Sequence, residues 1–224
     1  MNFKIKNKFA LVTGASRGIG EEICRSLAKE GAKIIACSRN KKDLKKLISS
    51  LPNSNKHFLI NIDLSNNLNV KKLIKIIKNK KIQPDIIVNN LGGNLGFTNP
   101  LGSSEEWRKV MFLNTEVAIE INRSFIPNMI KKKWGRICHI SSISAIENQG
   151  PPAYCASKAA LNAYVRSLAR YVAEKNVILT SVMPGAVFTK GGYWDKQSKK
   201  NPKKVKKYLE ERMAIKRFGK VNEI

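Results

Sequence analysis

The chain has 224 residues with a hydrophobic fraction of 42%, room for one α/β domain with a substantial core and cramped for two. No apolar run approaches the roughly 18 residues of a membrane span, and the amino terminus lacks the apolar core of a signal segment, so a cytoplasmic protein is expected. Lys and Arg number 42 against 16 for Asp and Glu, a net charge of +26; this predicts non-specific attraction to polyanions, but without aromatic interleaving or a binding module it predicts no specific nucleic-acid partner.

Cys24, Cys37, Cys138 and Cys155 are widely separated and form neither a Cys-x-x-Cys pair nor a cluster with His57 or His139. That pattern suits a reduced compartment and predicts no metal site. Cys37 and Cys138 fall in apparent strands as small hydrophobes, while Cys155, beside Tyr154, is the one candidate for modification.

Residues 8–31 read as strand, turn and helix: Phe-Ala-Leu-Val-Thr, then Gly14-Ala-Ser-Arg-Gly18-Ile-Gly20, then apolar Ile19, Ile23 and Leu27 every four residues. Glycines there let the backbone approach a pyrophosphate at a helix amino terminus, so the turn is a dinucleotide-loop candidate. A second strand from Ile34 ends at Ser38 and Arg39. An acid at that place would bind the free ribose hydroxyls of NAD. With Ser38 and Arg39 there, and Arg17 in the turn, a 2′-phosphate is the better match, which favours NADP (NADPH) over NAD.

A third strand, 57–62, leads to Asp63-Leu64, and a helix through Leu73, Ile76 and Ile77 follows. The fourth, 85–89, runs into Asn90-Leu-Gly-Gly93. One long helix is predicted from Ser104 to about Lys133, with Asn114 inside it. The fifth strand, 136–140, ends at Ser141-Ser142; a helix over 153–172 follows; the sixth strand, 177–182, ends at Pro184-Gly185. Apolar strands alternating with helices predict a doubly wound parallel sheet (Rossmann-like) of six strands in a single domain, 1–224, with ligands at the carboxyl edge.

The stretch from Ser142 to Lys158 carries the chemistry. A helix there puts Tyr154 and Lys158 one turn apart on one face. A neighbouring ammonium lowers a phenol's pKa, which makes Tyr154 a candidate general acid or base. Ser142 stands ready to donate a hydrogen bond to a carbonyl oxygen. By itself Tyr-x-x-x-Lys reads equally as a surface pair in so lysine-rich a chain. Past Thr189, Gly191-Gly192-Tyr193-Trp194 and one short amphipathic helix to about Met213 predict a substrate lid over 189–213.

Together these residues resemble the short-chain dehydrogenase/reductase family, from about residue 8 to the end, and within it the 3-oxoacyl-carrier-protein reductases. The resemblance implies an NADP-dependent oxidoreductase that reduces a carbonyl to an alcohol by hydride transfer. It implies Asn114, Ser142, Tyr154 and Lys158 as the catalytic tetrad, and Gly14, Ser16, Arg17, Gly18, Ile19 and Gly20 as the cofactor turn. Arg39, Asp63, Leu64, Asn90, Pro184, Gly185, Val187 and Thr189 would be further cofactor contacts, and Lys158 would also hold the nicotinamide ribose. The implied partner is a small-molecule or acyl-carrier-bound carbonyl substrate, possible identities including a 3-oxoacyl thioester. A sugar-nucleotide or other polar-metabolite dehydrogenase, and a truncated non-catalytic nucleotide-binding protein, are the alternatives.

Two departures qualify the match. The loop between Ser142 and Tyr154 is one residue shorter than in many members, which keeps Ser141 as a second serine candidate. The chain ends at Ile224, where the family continues into a seventh strand. The expectation is therefore a truncated or shortened version with an exposed sheet edge, in which the family's homo-oligomer is in doubt.

Overall fold

The computed structural model describes residues 3–147 and 149–224. Asn148, inside the Ser142–Lys158 stretch, lies outside the described residues, as do Met1 and Asn2. Six strands form one parallel sheet in the order β3-β2-β1-β4-β5-β6: β1 Phe9–Thr13, β2 Lys33–Ser38, β3 Phe58–Asn61, β4 Ile86–Asn89, β5 Gly135–Ile140 and β6 Val177–Val182. Their near-continuous apolar composition follows from burial on both faces.

On one face α1 (Gly18–Lys29) and α2 (Lys41–Ser50) contribute Cys24, Ala28, Leu44 and Leu47 to a core shared with Ala10, Val12, Ile34 and Ala36 of the sheet. On the other, α3 (Asn67–Asn79), α5 (Val117–Lys131) and α7 (Pro152–Val172) bury Leu73, Ile77, Ile121, Phe125, Leu161 and Val165 against Leu11, Ile87 and Ile137. The strand order reverses between β1 and β4, so the crevice of a doubly wound sheet opens beside the glycine turn.

The helix starts follow local chemistry. Asn40 caps α2 by accepting from Asp43 N at 3.1 Å, and Asn66 caps α3 by accepting from Asn69 N at 2.9 Å. Ser103 and Glu106 form a capping box on α4 (Ser104–Met111). At α1 the N-cap Arg17 makes no side-chain cap.

The long helix expected from Ser104 to Lys133 is in fact α4 and α5 joined by a π turn over Phe112–Glu116, in which Val117 N donates to Phe112 O. Asn114 causes the interruption: its Nδ2 donates to Val110 O at 2.8 Å, claiming a carbonyl that a regular helix would bond through its backbone. The tail expected as a single helix is two, α8 (Tyr193–Lys200) and α9 (Pro202–Arg212), split where Pro202 opens α9 and cannot continue α8. A four-residue helix, α6 (Ser144–Glu147), occupies the loop after β5. At the outer strand β6, Ile178 and Val182 are exposed.

Candidate active site

Because all six strands are parallel, their carboxyl ends share one edge, and the residues singled out above gather there. The glycine turn is fixed from two sides. Thr13 Oγ1 accepts from Asn90 N and Leu91 N, both at 3.1 Å, and Asn90 Nδ2 donates to Thr13 O and Gly14 O at 3.0 and 3.2 Å. Asn90 thus staples β4 to the turn after β1. Gly14 and Gly18 adopt φ of +64° and +59°, left-handed values that favour glycine. A Cβ on Gly20 would run into Gly14 O and Asn90 Nδ2. The turn therefore packs tightly on the start of α1, whose first N–H groups have no capping side chain. That is the arrangement an anionic pyrophosphate needs.

At the end of β2, Ser38 Oγ donates to Ser16 Oγ at 2.8 Å, joining the two segments that would flank an adenosine ribose. Arg39 is exposed and its guanidinium has no hydrogen-bond or ion-pair partner among the described residues. Arg17 differs: its Nη1 donates to Gly191 O at 3.3 Å, so it reaches the tail segment. Asp63 is exposed and accepts from Ser65 N at 3.1 Å, while Leu64 is buried beneath it. Val187 pairs with Gly219 in an isolated bridge, Thr189 lies against Gly18 and Gly192, and Pro184 O accepts from Ile143 N at 3.1 Å. The segment after β6 therefore closes against both the glycine turn and the loop after β5.

The tetrad residues meet between α7 and the π turn. Lys158 is 2% exposed, and its Nζ donates to Ile140 O at 2.8 Å. Asn114, also 2% exposed, accepts from Gly93 N at 2.9 Å and donates to Gly93 O at 2.8 Å. Gly92 lies between the two: a Cβ there would stand 2.7 Å from Asn114 Oδ1 and 2.9 Å from Lys158 Nζ. Asn114, which helix periodicity alone would turn to solvent and the family resemblance puts in the tetrad, is a buried clamp on the loop after β4. Thr115 Oγ1 donates to Ser157 O at 2.8 Å and pins the same π turn to α7. The sequence reading missed Thr115, and a hydroxyl next to Asn114 was its only signal.

Of the two serines, Ser142 is the one whose hydroxyl acts on the Tyr154 phenol. Ser141 is buried and its Oγ points to Lys158 O at 3.5 Å. The electrostatics correct one expectation. Burial raises the Tyr154 pKa, the Ser142 hydroxyl opposes it, and Lys158 is not among the causes. The reason is geometric: the ammonium is 5.9 Å from the ring centroid and committed to the Ile140 carbonyl. Burial also lowers Lys158 itself to about 8. The Cys155 thiol is buried and its pKa is raised by desolvation, which disfavours the reactive thiolate.

In the tail, Trp194 packs between Tyr208 and Phe218, with ring centroids 4.5 and 5.2 Å away, and Tyr193 meets it edge-on at 5.1 Å while remaining exposed. Trp194 is thus the anchor and Tyr193 the free aromatic. Asp195, nearly buried, accepts from Gly191 N at 2.7 Å and pairs with Lys199, fixing the turn that precedes α8. No group of His, Cys, Asp and Glu side chains suited to a metal occurs among the described residues.

A doubly wound sheet with a glycine turn at its crevice and a half-buried tyrosine and serine beside a buried lysine at the same edge defines a dinucleotide-dependent oxidoreductase of the Rossmann type. The comparisons narrow this: the model of the short chain dehydrogenase family matches residues 8–199, and the chain belongs to that family. A 3-oxoacyl-[acyl-carrier-protein] reductase of Buchnera aphidicola is 33% identical over 222 residues, 99% of this chain and 88% of that protein. Two solved structures share the fold. One is a 3-oxoacyl (acyl-carrier-protein) reductase from Agrobacterium tumefaciens with NADP bound, 27% identical with TM-score 0.85, over 98% of this chain and 84% of that one. The other is L-sorbose reductase from Gluconobacter frateurii complexed with NADPH and L-sorbose, 29% identical with TM-score 0.88, over 100% of this chain and 88% of that one.

Proposed function

We propose that this chain is an NADPH-dependent carbonyl reductase whose substrate is a 3-oxoacyl thioester. The observation that carries the chemistry is a Tyr154 phenol under the influence of the Ser142 hydroxyl, with the buried Lys158 ammonium 5.9 Å from its ring. A bound NADPH would supply a hydride to the carbonyl carbon. Tyr154, protonated at neutral pH like any phenol and with its pKa raised further by burial, gives its proton to the carbonyl oxygen, and Ser142 donates that oxygen a second hydrogen bond. Lys158, ammonium at pH 7, holds the nicotinamide ribose, and Asn114 keeps the loop after β4 clear of it. The uncapped start of α1 and the glycine turn hold the pyrophosphate, and Arg39, with Arg17, faces the 2′-phosphate. Gly14, Ser16, Gly18, Ile19, Gly20, Asp63, Leu64, Asn90, Pro184, Gly185, Val187 and Thr189 complete the cofactor contacts of this reading.

The substrate class rests on the rim. Leu95, Leu101, Ile146, Phe188 and Tyr193 are exposed on the segments that follow β4, β5 and β6, apolar surface on the carboxyl-edge side of the sheet of the kind an acyl chain needs. Residues 189–213 form a lid, with Lys196, Lys199, Lys200, Lys203 and Lys204 presenting positive charge to an anionic carrier. A polar keto-sugar is the second reading, supported by the likeness to L-sorbose reductase. NADPH oxidation against 3-oxoacyl thioesters, simple ketones and keto-sugars tests both. Preference for the thioesters by at least tenfold in kcat/KM is expected, and preference for the sugars overturns the acyl assignment.

A further inference from the structure

We propose that Asn122, His139 and Tyr164 form a buried positioning device that holds the helix bearing Asn114 in register with the helix bearing Tyr154 and Lys158. The inference rests on the roles given above to Tyr154 and Lys158. His139 and Asn122 are 0% exposed, and neither reaches the crevice edge. Asn122 is the hub: its Oδ1 accepts from Asn89 Nδ2 at 3.0 Å, and its Nδ2 donates to His139 Nε2 at 2.9 Å and to Tyr164 Oη at 3.2 Å. His139 Nδ1 lies 3.2 Å from Thr180 O. Four elements of the sheet layer and its cover, β4, β5, α5 and α7, meet on one carboxamide, and β6 joins through the ring.

The roles of the ring nitrogens are fixed by their partners. Thr180 O only accepts, so Nδ1 carries the hydrogen and Nε2 accepts from Asn122. A proton on Nε2 would face the Asn122 amide hydrogens. Asn122 could turn over to accept it only together with Asn89, whose Oδ1 would then take the Asn122 amide. In the arrangement present the ring is neutral. Burial, and to a lesser extent the Lys158 charge, hold the His139 pKa at about 4. The other groups facing it are uncharged: Asn89 from β4, Asn122 from α5, Thr180 from β6 and Tyr164, in edge contact at 6.2 Å, from α7.

The link to the site is short. Ile140, whose carbonyl receives Lys158 Nζ, directly follows His139 in β5. Tyr164 stands six residues after Lys158 on α7, and Asn122 eight after Asn114 along the helix. Apolar packing alone tolerates small slips of one helix over another, whereas three directional hydrogen bonds on one amide do not. The cluster keeps an internal cost, since Asn89 Oδ1 is buried with no hydrogen-bond partner. Retaining it where aliphatic side chains would fit is explained by a need for register.

The test uses the full chain and its best carbonyl substrate, with each variant assayed well below its own melting temperature. Asn122→Leu and His139→Leu are expected to lose about tenfold or more in kcat, since ångström-scale misplacement costs up to ~100-fold, while NADPH affinity stays within about threefold. His139→Gln, which offers one donor and one acceptor like the neutral ring, is expected to recover kcat to within about threefold. Tyr164→Phe should lose several-fold. Leucine variants that melt lower yet turn over at the wild-type kcat overturn the proposal; if they do not fold, wild-type kcat in Tyr164→Phe does so. A substrate-free arm uses ¹⁵N NMR of the chain's two histidines. His139 is expected as the Nδ1–H tautomer, and His57 as the Nε2–H tautomer, because its Nδ1 accepts from Ile34 N and its Nε2 faces Pro52 O. An Nε2–H ring at His139 overturns the cluster. Wild-type silence toward every carbonyl would count against the reductase reading instead, with the tautomer still judging the cluster.

Discussion

Tyr154 carries the proton in the proposed reaction, and its surroundings set the direction. A phenol is protonated near neutral pH and burial raises its pKa further, so Tyr154 carries the proton that reduction consumes. Tyr154→Phe removes the proton while keeping the ring, so kcat should fall by about 10²- to 10⁴-fold with the NADPH dissociation constant unchanged. Retention of a tenth of the wild-type rate would sink the role. Arg39 makes the matching prediction for the cofactor. A charge-assisted hydrogen bond to phosphate contributes roughly 1.5–3 kcal/mol, so Arg39→Asp should weaken NADPH by about 10- to 100-fold and leave NADH unchanged or improved. Both constants must be measured at one moderate salt concentration, because the +26 charge favours the more anionic cofactor on its own. Equal losses for the two cofactors would show that Arg39 does not read the 2′-phosphate. At this scale the sequence was informative about residue identity and silent about orientation. Spacing offered Tyr154 and Lys158 as a pair and the family resemblance gave them, with Ser142, their roles, yet Lys158 engages the Ile140 carbonyl rather than the phenol, a backbone contact that no side-chain pattern encodes.

Among the elements, the π turn at Phe112–Glu116 and the loop after β4 decide how tightly the site is set. Gly92 shows the tolerance. A methyl there meets Asn114 Oδ1 and Lys158 Nζ, the ends of two buried and hydrogen-bonded side chains rather than backbone. Moving them displaces the ammonium proposed to hold the ribose and loosens the Asn114 clamp. Gly92→Ala is therefore expected to lose at least tenfold in kcat/KM, with its melting temperature lowered less than that of Gly20→Ala. Gly20→Ala is the contrast: its methyl meets the Gly14 backbone, so the turn itself must move, and both stability and cofactor affinity should fall. Thermal melts paired with NADPH titrations separate the two; a Gly92→Ala enzyme with wild-type kinetics would show that this gap is slack. The regular helices and strands were legible because apolar periodicity repeats over many residues. The π turn was not, because one asparagine taking one carbonyl leaves the 3.6-residue pattern on either side intact. The split of the tail into α8 and α9 was signalled by Pro202 and overlooked.

For the whole molecule, the sheet order was implied by alternating strands and helices, whereas the buried polar layer beneath the site was not, since Asn89, Asn122, His139 and Tyr164 are scattered over 76 positions and meet only in the fold. That layer governs acid stability. The unfolded chain binds a proton on this histidine near pH 6.5, but the folded chain withholds it until about 4. Between those values the unfolded state holds more protons, so stability falls as pH falls, by up to ~3 kcal/mol across the window. Lys158 acts at the other end: the unfolded chain keeps its proton up to about 10.5 and the folded chain only to about 8, so this burial cost is relieved as pH rises between them. Cys37, raised to about 12 by burial, opposes that gain, because the unfolded thiol ionises from about pH 9 and pulls the equilibrium toward unfolding. The alkaline limb is therefore mixed, while from pH 6.5 down to about 5 His139 acts before the carboxylates whose pKa values are lowered, Glu105, Asp195 and Glu223, begin to protonate. Urea unfolding at pH 7.0, 6.0 and 5.0 at constant ionic strength should show a steady loss of stability in the wild type. In His139→Gln, whose side chain does not titrate, the slope over that interval should flatten. An unchanged slope would assign the acid sensitivity to the self-repulsion of a chain carrying +26 charges rather than to one buried imidazole.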